Sequence, residues 1–232
     1  MIEFKDVVLQ YHYDDFALLK GVNFALHDGV NTILADTQSG KSSICKLLTK
    51  DVKANSGEIT VDGVEIGCIT NADLGILYLP SKPTFFENRS VRSNIEYPLK
   101  VRKVAKNERQ TTVEKVAAAL NIDFLEQKVG KLTAEQRKLA ALARGLTVER
   151  KTVLFDDFFE VDGDLWQTNA YIDGILDLFS NAMCVILTSD TRLARGHTVV
   201  LDGGVAAYSG EPDGAKKVVG ELVWIDESIR SK

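Results

Sequence analysis

Residues 31–50 read NTILADTQSGKSSICKLLTK, and the order of their parts decides the fold. NTILA is a short apolar strand, DTQSG a polar turn, and the run from 41 to about 50 an amphipathic helix. Within it, Ala35-Asp36-Thr37-Gln38-Ser39-Gly40-Lys41-Ser42 matches the phosphate-loop pattern GxxxxGK[ST], except that Ala35 replaces the first glycine. That chemistry needs small residues so that successive backbone N–H groups turn inward on phosphates. It also needs a lysine for the β- and γ-phosphates and a hydroxyl for Mg²⁺. Gly40, Lys41 and Ser42 supply those parts, and Ser43 adds a second hydroxyl. SGKSS can also be read as a polar helix start capped by Ser39 or Gly40, but the strand–loop–helix order favours the phosphate loop. The methyl group of Ala35 is expected to loosen phosphate binding without abolishing it.

A site of this kind needs a second half, an aspartate closing a buried strand. Residues 151–157, KTVLFDD, provide one and place Asp156 to organise Mg²⁺. Two acids ending a strand are ordinary alone; together with the loop they point to one site.

Outward from these segments, IEFKDVVLQY (2–11) and GVNFALHDGV (21–30) alternate as antiparallel strands. SGEITVDGVEI (56–66) reads as short strands around turn residues, and LGILYLP (74–80) as an apolar strand ended by Pro80. From about 91 to 146 the spacing becomes helical in VRSNIEYPL, NERQTTVEKVAAAL and TAEQRKLAALARGL, as in a helical subdomain inserted into a strand-rich core. Beyond 151–157, LWQTNAYIDGILDLF is an amphipathic helix and NAMCVILTSD a second buried strand, an alternation that indicates a parallel sheet. TVVLDGGVAAYSG (198–210) forms a hairpin before a last helix near 212–219. The expected organisation is one domain over 1–232, with a core from about 1–90 and 147–232 and a helical subdomain at about 91–146.

Composition narrows the function classes. The chain has 232 residues, enough for one large α/β domain, with 45% apolar and 26% charged residues. No apolar run approaches the length of a membrane-spanning helix. Net charge is −5, and the basic residues are scattered, which argues against nucleic acid as a partner. Residues 1–11 lack the segments of a signal peptide, so a cytosolic location is expected. Cys45, Cys68 and Cys184 have no CxxC-type spacing and read as small buried hydrophobes; His12, His27 and His197 form no metal-ligand cluster.

The ordered set resembles the ATP-binding cassette family over about residues 2–210. Tyr11, with Tyr13 as the nearby alternative, matches the aromatic that stacks on adenine. SGEITVDGVEI is similar to the family's hairpin after the phosphate-loop helix, and VRSNIEYPL to the segment after its glutamine loop. LTAEQRKLAALARGL (132–146) resembles the LSGGQ signature and its helix, while VILTSD and VVLDGGVAAYSG match the switch strand and closing hairpin. The resemblance implies an α/β P-loop NTPase fold with a mixed β core, an antiparallel β edge and an inserted helical subdomain. It also implies MgATP held by residues 36–43, Tyr11 and Asp156, with Thr133 turned toward nucleotide on an opposing cassette.

Against that family pattern several positions depart. Ser189 stands at the switch histidine and cannot carry its charge. Asp157 stands at the glutamate that positions water, one methylene short; misplacement of about 1 Å costs roughly a hundredfold in rate. Ser81 is too short for the glutamine that links metal and water to the transporter contact. Ala134 and Glu135 replace two signature glycines, and a carboxylate there would repel phosphate. Phe158 replaces the usual proline, and EVDGD (160–164) is unlike the family's dimer-contact loop. Two such losses would raise the barrier by about 3 to 8 kcal/mol if independent. The expectation is an ATP-binding transporter subunit on the cytoplasmic face of a membrane, docked on transmembrane permease subunits. It would dimerise with itself or another cassette and hydrolyse ATP weakly or not at all alone. A regulatory or structural pseudo-ATPase and a slow ATPase using Asp157 are the alternatives.

Overall fold

The computed structural model describes residues 1–11, 16–36, 39–160 and 169–222. Two units divide the chain, one of Met1–Tyr78, Lys151–Asp157 and Ser180–Lys232, the other of Leu79–Arg150 and Phe158–Phe179. In chain order the strands and α-helices are β1 (Ile2–Leu9), β2 (Leu19–Leu26), β3 (Val30–Ala35), α1 (Lys41–Leu48), β4 (Ser56–Val61), β5 (Val64–Glu65), α2 (Asn71–Leu74), β6 (Ile76–Pro80), α3 (Val91–Val101), α4 (Lys106–Ala119), α5 (Ala134–Leu146), β7 (Thr152–Asp156), α6 (Asn169–Asp177), β8 (Met183–Thr188), β9 (His197–Asp202), β10 (Val205–Gly210) and α7 (Pro212–Glu221).

The first unit carries two sheets. A four-stranded sheet runs β2-β1-β4-β5, its neighbours pairing antiparallel. Its β1 alternates inward and outward residues because one face is buried, and a bulge near Asp6, which has φ 48°, interrupts the register. A six-stranded sheet runs β10-β9-β3-β8-β7-β6; β3 pairs in parallel with β8 and β9, and β7 with β8, while β9 and β10 form the antiparallel hairpin. Every residue of β7 and β8 is buried, which explains their unbroken apolar sequences. One cluster joins the sheets and α1, with Phe4 and Leu26 beside Ile33, Ile44, Leu48 and Val185.

A separate core organises the second unit, where Val91, Ile95, Val113, Phe124, Val129 and Ala140 bring α3, α4 and α5 together. Ser90 caps α3 by accepting the Ser93 N–H. Asn94, fully buried, accepts the Phe86 N–H and donates to the carbonyls of Phe86 and Ser90, so the chain entering α3 is pinned without regular structure. The helical stretches expected at 91–99, 107–120 and 133–146 are the helices found.

Candidate functional site

Because β3, β7 and β8 are parallel, their carboxyl ends meet on one edge of the sheet. Asp156 pairs with Leu187 and Leu34 with Thr188, so the phosphate loop, the two acids of KTVLFDD and Ser189 leave the same edge. Open parallel sheets bind ligands there.

The loop begins at buried Ala35 and turns through Asp36, whose carbonyl accepts the Ser39 N–H. Thr37 and Gln38 lie outside the described residues. Gly40 caps α1 with φ 95°, a left-handed backbone that side chains rarely adopt. Its carbonyl accepts the N–H groups of Ser43 and Ile44, the first helical bonds. Lys41 is 7% exposed; its ammonium donates to the Ala35 carbonyl at 3.1 Å and pairs with Oδ1 of Asp157 at 3.2 Å. Ser42 is exposed at the helix start, whereas Ser43 is buried and shares a 3.1 Å hydrogen bond with the Tyr11 hydroxyl. Lys46 places its ammonium 5.6 Å from the centre of the Tyr11 ring. Tyr11 is therefore held against the phosphate-loop helix; Tyr13 lies outside the described residues.

The adjacent acids differ sharply. Asp156 is 5% exposed; its Oδ2 accepts a 2.8 Å hydrogen bond from the Tyr78 hydroxyl, while Oδ1 is buried and has no hydrogen-bond partner among the described residues. A buried anionic oxygen with spare lone pairs suits a hard divalent cation, so the donor set of Ser42 and Asp156 fits Mg²⁺. Burial, then the hydrogen bond to Asp156, pushes the Tyr78 phenol well above its usual range and keeps it a donor. Asp157 turns away into a left-handed backbone, φ 46°, with its N–H on the Leu187 carbonyl and its carboxylate on Lys41. Cys45, buried in α1, has its thiol raised by burial and by the charges of both acids.

With this geometry in place, the comparison with known families is decisive. The family model described as ABC transporter matches residues 19–160. The chain belongs to this family. Among curated relatives, the sn-glycerol-3-phosphate import ATP-binding protein UgpC of Rhizobium meliloti (strain 1021) is 30% identical over 67% of the chain and 45% of its own length. The molybdate/tungstate import ATP-binding protein WtpC of Thermococcus kodakarensis is 32% identical over 61% of the chain and 43% of its own. The chain thus spans under half the length of these relatives. Among solved structures, a bacterial Atm1-family ABC exporter with ATP bound superimposes with a TM-score of 0.79, covering 99% of the chain and 41% of that chain at 21% identity, which shows the fold. The cassette fold explains the coexistence of a parallel sheet, an antiparallel sheet and a helical unit.

In the second unit of the cassette, α5 starts at the expected signature. Thr133 caps it, its hydroxyl accepting the Gln136 N–H, while the Gln136 side chain accepts the Thr133 N–H. Thr133, Ala134 and Glu135 are exposed. The Glu135 charge reaches α6, where burial and then Glu135 raise the Tyr171 phenol. Ser81 is exposed just after β6, and the segment following it is tied to α5: Arg137 makes a two-pronged pair with Glu87, and both Arg137 and Arg144 lie over the Phe85 ring. Lys138, 3% exposed, donates to the carbonyls of Phe158 and Glu160 and so fastens the start of the EVDGD segment; residues 161–164 lie outside the described residues.

Ser189 is half-buried immediately beyond β8. His27 and His197 pack edge to face at 4.7 Å, at the opposite end of β3 from the phosphate loop, about 15 Å away by strand rise. His12 lies outside the described residues. Cys45 and Cys184 are buried as expected, the Cys184 thiol pushed up to about 11 by burial, but Cys68 is exposed, its thiol donating to Glu65. The expectation fails there because a short 3₁₀ turn at Ile66–Cys68 buries Ile66 and turns the cysteine outward. Sequence reading missed Tyr78 and Lys138 as site-shaping groups. A hydroxyl-bearing tyrosine in the apolar run LGILYLP and a lysine on the buried face of α5 were the available signals.

Proposed function

We propose that this cassette is the ATP-binding subunit of a membrane transporter, built to hold MgATP and poorly equipped to hydrolyse it alone. Lys41 and the backbone of residues 36–43 would hold the phosphates, Tyr11 the adenine, and Ser42 with Asp156 the Mg²⁺ ion, which when bound neutralises phosphate charge. Thr133 would face nucleotide on a second cassette, identical or different. Partners would be transmembrane permease subunits, and the protein would work at the cytoplasmic face of the membrane. Among the described residues no helix is long and apolar enough to cross it. That two of its relatives are import ATP-binding proteins supports import-type transport as the setting.

The single observation that carries the weak-hydrolysis reading is the Lys41–Asp157 contact. The carboxylate at the water-positioning place is spent on the phosphate lysine, and Ser189 brings no cation to the same edge. A general base must reach the proton it removes, and Asp157 would have to leave Lys41 to do so. This favours a binding or regulatory role over slow turnover through Asp157. Steady-state ATPase of the purified chain, alone and with a candidate partner cassette, tests the reading; turnover of an ordinary enzyme, about 10 s⁻¹, by the chain alone would refute it.

A further inference from the structure

Tyr78 gives Asp156 an asymmetry that the phosphate loop does not explain. The tyrosine is 39% exposed on β6, yet its hydroxyl reaches a carboxylate that is 5% exposed. One oxygen of Asp156 is thereby occupied, and the other is buried with no hydrogen-bond partner among the described residues. An aspartate's terminal torsion is broad and nearly two-fold, so an unrestrained carboxylate can present either oxygen. A donor fixed on Oδ2 removes that freedom before any ligand arrives.

We propose that Tyr78 is a positioning residue for the metal, holding Asp156 by Oδ2 so that Oδ1 alone is offered to the divalent cation that accompanies a nucleotide phosphate. The proposal rests on the reading of residues 36–43 and Asp156 as a MgATP site. A tyrosine that merely packed on β6 would affect stability and all nucleotide binding alike. One that orients Asp156 affects only the part of the affinity that the metal adds, because supporting partners of metal ligands tune metal binding selectively.

Calorimetry on the full chain separates these roles. ATP is titrated into wild type, Tyr78→Phe, Asp156→Asn and the double variant, once with excess Mg²⁺ and once with EDTA. Tyr78→Phe should lower the Mg²⁺-dependent gain in affinity about tenfold, the scale of a hydrogen bond to a charged group, and change EDTA affinity less than twofold. In the Asp156→Asn background the same change should have no further effect on the gain, since Tyr78 acts through that carboxylate. Mn²⁺ in place of Mg²⁺ gives a second readout: the electron paramagnetic resonance spectrum of the Mn²⁺–ATP complex should broaden in Tyr78→Phe as the ligand loses its fixed orientation. Tyr78→Gln, which keeps a donor, should retain more of the gain than Tyr78→Phe. An undiminished gain in Tyr78→Phe, equal losses with and without metal, or full additivity with Asp156→Asn would overturn the assignment while leaving the site intact. Failure of wild type to bind ATP under either condition would overturn both.

Discussion

The phosphate loop and the start of the expected signature helix are both helix N-termini, and they differ in what they offer a phosphate. At α1 the reactive side chains remain and the backbone is held by Gly40 and by the Ala35 and Asp36 carbonyls. At α5 the backbone scaffold is equally well kept, with a complete capping box, but the first turn now carries Glu135. Anions favour helix N-termini through aligned N–H groups, so α1 invites phosphate, while at α5 the protein's own carboxylate competes for that place. The helix start is thus complete at both ends, and on the proposed reading only α1 keeps side chains suited to phosphate.

The most severe way to break this contrast is Lys41→Ala. Loss of the main cation at the phosphates should reduce MgATP affinity more than a hundredfold, on the scale of a charged contact, and equal affinities by calorimetry would remove the phosphate-loop assignment. The contrast sharpens through repair. Ser189→His with Asp157→Glu should give only partial ATPase, because Ala134 and Glu135 still present the wrong surface to nucleotide on an opposing cassette. Adding Ala134→Gly and Glu135→Gly should raise turnover by more than the product of the two partial repairs, since groups serving one transition state are non-additive. Full turnover from the first pair, or undetectable ATP-dependent dimerisation with all four, would contradict the contrast.

Smaller effects probe the scaffold. Lys138→Met removes the ammonium's hydrogen bonds to the Phe158 and Glu160 carbonyls and should cost about 2 to 3 kcal/mol, read as a fall of roughly 5 to 10 °C in a thermal melt. Thr133→Ala should cost about 1 kcal/mol through the lost cap. The least effect is expected at Asp190, whose carboxyl the Arg192 guanidinium holds below the usual range. Its folded value lies under the unfolded one, about 3.9, so the stabilisation is complete above that pH and disappears as pH falls through the folded value. Arg192→Met should therefore lower stability slightly at neutral pH, leave it almost unchanged below the folded value, and so flatten the acid limb of the stability–pH curve read by thermal melts across that window.

How much was legible followed the range of the interactions. β7 and β8 announce themselves as continuous apolar runs because both faces are covered, and Gly40-Lys41-Ser42 declares itself within three residues. The Tyr78–Asp156 bond joins residues 78 positions apart, so nothing in the local pattern of either segment encodes it. Lys138 is similar: helical spacing puts it on the inner face of α5, but only the folded chain supplies its carbonyl acceptors from residues 158 and 160. The Lys41–Asp157 contact was hidden too, because an extended backbone is the natural expectation for a residue just after a strand, and Asp157 is left-handed.

That left-handed aspartate bears on how the protein can change over generations. A proline at 158 would press the preceding residue toward an extended backbone, whereas Phe158 imposes no such restriction. Asp tolerates a left-handed conformation better than most side chains. The residue pair has therefore become mutually dependent: exchanging Asp157 for glutamate alone strains the turn, and introducing proline alone displaces the aspartate from φ 46°. Each single exchange thus carries its own backbone cost, so the two neighbouring positions are expected to change together or not at all.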